Sequence, residues 1–182
     1  MKKGQSLTLW ALGVLLFFAL LNFPATAQDS STLSDPEVAH IAVVANQIDI
    51  EQAELAKKKS KNEDVLQFAQ TMINDHRTVI GQAEDLVKKL GVTPKENAVS
   101  KQLQADAAKT SKMLQAKSGS AFDKAYVDNE VAYHTAVISA VEELLIPETE
   151  NAELKALLQN VVPALKAHLE HAQMLQEQLS KK

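Results

Sequence analysis

The sequence predicts an all-α protein, namely an up-down bundle of four main helices with one extra helical segment at about 97–117. Apolar residues recur at alternating spacings of three and four, which is typical of helices that pack in a bundle. No segment alternates apolar and polar residues over the length of a strand. Glycine occurs only 5 times in 182 residues, and alanine, leucine, glutamine and lysine, which favour helices, are common.

The first 27 residues have the pattern of a secretory signal peptide. A cationic start (MKKG) precedes the apolar run LTLWALGVLLFFALL, and the small residues Ala25 and Ala27 complete an A-x-A cleavage pattern. We therefore expect cleavage after Ala27, a flexible polar tether at 28–34 and a bundle domain at 35–180. An uncleaved anchor is the alternative, although the apolar run is short for a membrane span.

The signal peptide and the composition narrow the function. Export implies residence in the periplasm or elsewhere in the cell envelope, with no integral membrane span after cleavage. The net charge of -4 at pH 7 gives no support for nucleic-acid binding. The chain has no cysteine, which excludes disulfide bonds and a cysteine nucleophile.

The first helix has two alternative start signals. Asp35 can cap it with Pro36 at the first helical position, or Ser34 and Glu37 can form a capping box. Its apolar stripe then alternates steps of three and four residues, as expected for a bundle helix. The stripe consists of Val38, Ile41, Ala45, Ile48, Gln52 and Leu55.

Capping signals also delimit the second helix. Ser60 and Glu63 form a capping-box pattern, and the helix is expected to run to Leu90 and end at Gly91. Thr93, followed by a proline, predicts the start of the extra segment.

Two further helices follow. The sequence SGS at 118–120 ends the extra segment, and a stronger helix restarts near Ala121. The last helix has the longest apolar stripe, and Pro163 inside it should bend it, because proline removes one backbone donor.

Histidines occupy core positions on three of these helices. A step of seven residues from Ala69 reaches His76, so this side chain lies where the second helix otherwise carries apolar residues. His134 follows Glu130 by four residues on one stripe, and both side chains therefore project from the same face. His168 lies on the stripe of the last helix. Because short connections make neighbouring helices antiparallel, these positions are expected to converge.

The convergence has two interpretations. Imidazoles and carboxylates in a bundle core are suitable ligands for a single iron, copper or zinc ion. Alternatively, the histidines form a polar layer whose hydrogen bonds are satisfied internally, and the pattern favours this interpretation. The candidate metal ligands are Glu51, His76, Glu130, His134, His168 and His171. The further members of the polar cluster are Asp75, Tyr126 and Tyr133.

Three stretches resemble a known family. FAQTMINDH, AYVDNEVAYH and PALKAHLEHA are similar to segments of the exported bacterial proteins grouped as domain of unknown function 4142. The resemblance extends over about Asp35 to Leu179. Members of this family are often described as membrane or outer-membrane proteins and are grouped with the ferritin-like bundles. The resemblance implies a ferritin-like bundle of the periplasm or envelope, without an assigned activity.

A di-iron centre is not supported by the sequence. Carboxylate di-iron bundles carry Glu-x-x-His on two of their helices. The residue three positions before each core histidine is apolar: Ile73, Val131 and Leu165. We therefore expect no ferroxidase centre, whereas a site for one metal ion remains compatible with the residues.

The sequence leaves three interpretations of function. The first is a non-enzymatic binding or protective module of the cell envelope, acting with an unidentified envelope partner. The second is a bundle that binds a transition metal, to sequester or oxidise it, through the buried histidines and glutamates. The third is a subunit of a homo-oligomer that associates through an exposed helix face.

Overall fold

The computed structural model describes residues 32–181, and the regular secondary structure of these residues is entirely helical. The predicted signal peptide and residues 28–31 of the predicted tether lie outside the described residues. The predicted all-α bundle with an extra helical segment is confirmed. The elements are α1 (Asp35–Lys59), α2 (Glu63–Leu90), α3 (Ala98–Gln115), α4 (Gly119–Ala140), a π-helical segment (Val141–Leu145), α5 (Ile146–Glu148) and α6 (Ala152–Ser180).

The four long helices pack as two antiparallel pairs, α1 with α2 and α4 with α6. The helix α3 runs along α1 in the same direction. Just before α3, the Lys95 N–H donates to the Pro36 carbonyl (2.9 Å), and at the other end Lys59 Nζ donates to the Gln115 carbonyl (2.6 Å). Because α3 crosses the length of the bundle, α2 and α4 run in the same direction, which is the connectivity of ferritin-like bundles.

The start of α1 uses both of its predicted signals, but for different purposes. Ser34 and Glu37 form the capping box. The carboxylate of Asp35 instead accepts hydrogen bonds from the backbone N–H groups of Glu150 and Asn151, at 2.9 and 3.0 Å. Asp35 therefore links the first helix to the loop that precedes the last one.

The predicted extent of α2 is confirmed, and its predicted cap is not. The helix ends at Leu90, and Gly91 follows in the left-handed conformation with φ of 64°. At the other end the Asn62 side chain accepts hydrogen bonds from two N–H groups of the first turn. The Ser60 hydroxyl accepts from the Asn62 N–H and so supports the cap from one position further back.

The helix α3 begins later than the Thr93 signal predicts. Asn97 is the cap, because its side chain accepts from the Ser100 N–H while the Ser100 hydroxyl accepts from the Asn97 N–H. The Asn97 amide also donates to the Glu37 carbonyl (3.1 Å). This tertiary contact with α1 fixes the start of α3, and local sequence signals do not encode it.

Two apolar clusters fill the bundle. One contains the aromatic residues Phe68, Phe122 and Tyr126 and is called here the aromatic cluster. The other consists of valines, leucines, isoleucines and an alanine, among them Ile41 and Leu158, and is called the aliphatic cluster. A layer of buried polar residues separates the two clusters along every long helix. This polar layer consists of Asp49, His76, Glu130, His134 and His168.

The helix α6 is uninterrupted, whereas α4 ends in an irregular turn. The helix α6 is continuous through Pro163, where the sequence predicts a bend. At the end of α4, the Ile146 N–H donates to the Val141 carbonyl, five residues back, which defines the π-helical segment. Within residues 32–181, no helix combines the length and the apolar character that a membrane span needs.

Candidate metal centre

Each of the four long helices contributes to the polar layer. Asp49 comes from α1, His76 from α2, Glu130 and His134 from α4, and His168 from α6. All five side chains are buried, and those of Asp49, Glu130 and His134 are completely inaccessible to solvent. Polar groups at this depth destabilise the fold unless they are hydrogen-bonded or ligated.

The three imidazoles face one another across the layer. The ring centroids of His76 and His134 are 5.8 Å apart, those of His76 and His168 are 5.2 Å apart, and those of His134 and His168 are 5.4 Å apart. One ring nitrogen from each of the three lies within 4.8 Å of the others. Such a set can converge on one ion.

Carboxylates adjoin the imidazoles. The Asp49 Oδ2 atom lies 3.4 Å from His76 Nε2 and 3.6 Å from His134 Nε2. Asp49, Glu130 and His134 also form a second group whose potential ligand atoms lie within 4.8 Å of one another. The layer therefore offers both nitrogen and oxygen ligands, and His134 belongs to both groups.

In each of the three rings, one nitrogen is within hydrogen-bond distance of an acceptor that lies outside the group of imidazoles. The Nδ1 atom of His76 lies 2.7 Å from Asn46 Oδ1, and the amide nitrogen of Asn46 donates to the Ala42 carbonyl (2.8 Å). This second hydrogen bond fixes the amide orientation, so Nδ1 of His76 carries the proton. Nε2 of His76 is consequently a lone-pair nitrogen.

The same assignment applies to the other two rings. His134 Nδ1 donates to the Glu130 carbonyl (3.0 Å), which leaves the lone pair on Nε2. His168 Nε2 donates to Asp75 Oδ2 (2.9 Å), which leaves the lone pair on Nδ1. Histidines that ligate metals commonly donate their other N–H to a carboxylate or a backbone carbonyl in this way.

Three lone-pair nitrogens are thus directed into the layer. His76 Nε2, His134 Nε2 and His168 Nδ1 are buried and have no hydrogen-bond partner within residues 32–181. These three atoms are called the free nitrogens below. Each buried polar atom left without a partner costs about 1–3 kcal/mol, so the arrangement is unfavourable unless something binds there.

Two imidazoles of the layer, those of His76 and His134, are held in the neutral form. Burial, together with repulsion from His168 and His134, lowers the pKa of His76 to about 3. Burial likewise lowers the pKa of His134 to about 4, although its hydrogen bond to the Glu130 carbonyl acts in the opposite direction. Neutral imidazole is the form that binds metal ions.

Burial has the opposite effect on the acidic residues. It raises the pKa of Asp49 to about 7, and it raises the pKa of Glu130 well above its ordinary value, with the neighbouring Asp49 charge adding to the effect. This pair of carboxyls therefore retains protons near neutral pH in the metal-free protein. The pKa of Tyr126 and that of Tyr133 are raised by burial and by the same two carboxyls.

The structure brings together four of the six candidate ligands that the sequence suggests: His76, Glu130, His134 and His168. Glu51 and His171 lie outside the group. Glu51 is exposed and faces α3 across a small cleft, because it is two positions from Asp49 and therefore on the other side of α1. The ring of His171 packs against the edge of Phe68, with the centroids 5.1 Å apart.

The other predicted polar residues lie around the layer. Asp75 is half-exposed and holds His168 from outside. The Tyr133 hydroxyl donates to the Ala45 carbonyl (2.9 Å). Tyr126 is fully buried in the aromatic cluster, stacked on Phe122 with the centroids 6.2 Å apart, and its hydroxyl has no partner among the described residues.

Asp49 and Asn46 are members of the site that the sequence pattern missed. The sequence assigns the apolar stripe of α1 to the bundle core, yet Ile48 on that stripe lines the cleft toward α3, together with Val44. Beside that stripe, the inner face of α1 also carries small residues. Steps of seven residues connect Ala42, Asp49 and Ala56. A series of alanines at this spacing, interrupted by one acid, is the signal in the sequence from which Asp49 could have been predicted as a buried residue.

A family model described as Domain of unknown function (DUF4142) matches residues 21–175 of the chain. The chain belongs to the DUF4142 family. The resemblance expected from the three sequence stretches is thereby confirmed. No curated protein matches the chain in sequence.

A solved structure shares the fold of this DUF4142 protein. It is that of CopM in the Cu(II)-bound form, with a TM-score of 0.60 and 15% sequence identity. The similarity covers 81% of this chain and 98% of the CopM chain. At this level of identity the comparison supports the all-α bundle fold.

Proposed function

We propose that the protein is an exported, non-enzymatic bundle of the cell envelope that binds one Cu(II) ion in its polar layer and thereby sequesters it. His76 and His134 would bind through Nε2 and His168 through Nδ1, with Asp49 as the adjacent carboxylate. The observation that supports this proposal is the set of three free nitrogens. Their rings are each oriented by a hydrogen bond from the opposite nitrogen.

The donor set is suitable for this ion. Imidazole nitrogens bind copper, zinc, iron and nickel, and copper has the highest affinity among the divalent ions of the first transition row. The similar fold of CopM, which is described as bound to Cu(II), supports the choice of metal. The acidic pair supplies negative charge once its protons are displaced.

The position of the layer favours retention of an ion over its chemical turnover. Apolar clusters lie on both sides of the layer, and its side chains are buried. Burial of the ligand side chains slows the exchange of a bound ion with solvent. Sequestration in the periplasm or envelope is the corresponding role.

The proposal is tested by titrating the purified, chelator-treated protein with Cu(II), Zn(II) and Fe(II), followed by elemental analysis. We expect one Cu(II) per chain. The variants His76→Leu and His134→Leu should bind at least 100-fold more weakly while retaining their helical circular dichroism. His171→Leu is the matched control, because His171 lies outside the layer, and it should bind like the unmodified protein.

A metal-free polar layer that fixes helix register is the second candidate. It is favoured by the 3.4 Å separation of Asp49 Oδ2 and His76 Nε2, since a protonated Asp49 could donate to that nitrogen. In this case the folded protein binds no metal at micromolar concentration, and His76→Leu raises its stability, because an apolar residue replaces a buried polar one. The same titration therefore separates the two candidates.

A further inference from the structure

A cavity of about 290 Å³ lies in the aliphatic cluster, directly beside the polar layer. Helices α1, α2, α4 and α6 form its walls, and Leu103 of α3 closes one side. Its lining is almost entirely apolar except at one end, where Asn46, Asp49, Asp75, Tyr133 and the three histidines of the layer are located. Exposed alanines such as Ala136 and Ala164 also line it, so the cavity reaches the protein surface.

The cavity is confined to one side of the layer. In the aromatic cluster, Phe68, Met72 and Phe122 are completely buried, and none of them lines the cavity. Protein interiors normally contain few voids larger than a water molecule, because unfilled space reduces stability. A cavity of this size in one half of a small bundle therefore suggests a ligand.

The π-helical segment is an independent indication of a ligand site. Two of its residues, Val141 and Leu145, line the cavity wall. Short π-helical segments within α-helices occur frequently at functional sites, since they cost stability relative to a regular helix. Here the irregular turn is located where α4 borders the cavity.

The polar end of the cavity determines what kind of head group it can accept. The three free nitrogens are acceptors, because the proton of each ring is committed to Asn46, Glu130 or Asp75 on the far side. A complementary molecule must therefore present a hydrogen-bond donor to them. A cavity of 150 Å³ accommodates benzene, so 290 Å³ has room for roughly 12 non-hydrogen atoms.

We propose that the cavity binds a small apolar molecule that ends in a hydroxyl group, with the hydroxyl directed toward the imidazoles of the polar layer. This inference goes beyond the proposed metal binding and does not depend on it. It concerns the metal-free protein, because the hydroxyl group and a Cu(II) ion would use the same nitrogens. The apolar body of the molecule fills the space between Ala83, Val137 and Leu158, and its hydroxyl donates to one of the free nitrogens.

The first test compares two fluorescent probes of similar size on the chelator-treated protein. 2-Naphthol carries a hydroxyl donor on an apolar body, whereas 2-methoxynaphthalene has the same body without the donor. We expect 2-naphthol to bind about tenfold more tightly, which corresponds to one hydrogen bond. Equal affinities would overturn the assigned head group, and failure of the folded protein to bind either probe would overturn the cavity site.

The second test fills the cavity. Ala83 is buried in its wall, and Ala83→Leu should weaken the binding of 2-naphthol at least tenfold. Ala167→Leu, on the exposed face of α6, is the matched control and should have no effect. Unchanged 2-naphthol binding in Ala83→Leu would contradict the proposal.

Cu(II) titrations of the same two variants distinguish this inference from the proposed function. Ala83 lies seven residues from His76, about two helical turns away, so Ala83→Leu should leave Cu(II) binding unchanged while 2-naphthol binding falls. A loss of both in a folded Ala83→Leu variant would contradict an apolar binding space that is distinct from the metal ligands at its polar end.

Discussion

His168 on α6 donates a hydrogen bond of 2.9 Å from Nε2 to the carboxylate of Asp75 on α2. The histidine is buried and the aspartate is half-exposed, so this pair connects the protein surface to the polar layer. The hydrogen bond also determines the tautomer of the ring, because the proton on Nε2 leaves Nδ1 free to face the interior. Asp75 is therefore a positioning residue for the proposed metal site.

The first prediction concerns this positioning role. Asp75→Ala should weaken Cu(II) binding by about 10–100-fold, the usual effect of removing a hydrogen-bond partner of a metal ligand. Asp75→Asn keeps an acceptor oxygen and should restore part of the affinity. Competition titrations against a chelator measure the change. Asp85→Ala, an exposed acid on the same helix, is the control, and an equal effect of both alanine variants would refute the role.

The second prediction concerns the stability of the metal-free protein in acid. His76 and His134 have pKa values of about 3 and 4 in the folded state, against 6.5 for an ordinary histidine. The unfolded chain therefore binds more protons below pH 6.5. The contribution of these two neutral histidines to the free energy of unfolding is complete above pH 6.5 and is lost as the pH falls toward 3.

The acidic pair acts in the opposite direction. The pKa of Asp49 is raised from 3.8 to about 7, and that of Glu130 is raised well above its ordinary value. The folded state therefore keeps protons that the unfolded state releases. The free energy of unfolding consequently falls as the pH rises from about 4 toward and beyond 7. We expect the free energy of unfolding to be greatest at about pH 5–6. Urea denaturation across the pH range measures this, and the double variant Asp49→Asn with Glu130→Gln should remove the decline above neutrality.

The third prediction uses two alanines at equivalent positions on either side of His76. Ala83 lines the cavity, and Ala83→Leu should stabilise the protein by about 0.5–2 kcal/mol, as cavity-filling substitutions often do. Ala69 is completely buried in the aromatic cluster, and Ala69→Leu should destabilise it by about 1–3 kcal/mol through overpacking. Thermal and urea denaturation give both values. Similar losses of stability in the two variants would mean that the cavity is absent in solution.

The fourth prediction concerns a glycine within α2 and the glycine that follows its last residue. Gly81 is inside the helix, and apart from the adjacent residues and backbone of α2 itself, no heavy atom of residues 32–181 lies within 4 Å of the Cβ position there. Gly81→Ala should therefore stabilise the protein by about 0.5–1 kcal/mol. Gly91 has φ of 64°, and Gly91→Ala should cost about 1–2 kcal/mol, because alanine is strained in this conformation. Opposite shifts in melting temperature are expected, and shifts of the same sign would contradict this account.

The sequence predicts the features that depend on local signals. The extent of α2 follows from its apolar periodicity and from Gly91 as a stop signal, both of which are encoded within the helix itself. The convergence of His76, His134 and His168 follows from their positions on apolar stripes, since helices in a bundle turn these stripes toward one axis.

The sequence does not predict features that depend on which helix covers which face. The helix α1 is packed on two sides, because α3 covers its outer surface, and its buried surface is therefore wider than its apolar stripe. Asp49 was missed for this reason, although its carboxylate lies 3.4 Å from His76 and 3.6 Å from His134. The cavity likewise depends on the combined shapes of five helices, and the apolar periodicity of any one helix does not predict it.

The hydrogen bonds of Asp35 to Glu150 and Asn151 join residues that are 115 and 116 positions apart in the chain. During translation, the amino end of α1 is synthesised long before the loop that contains Glu150 and Asn151. During synthesis the nascent chain can therefore pair α1 with α2 while three of the five residues of the polar layer are still missing. His168 enters only with the final helix, so a truncated chain lacks one of the three imidazoles, and uptake of metal by the complete proposed site must follow completion of the fold.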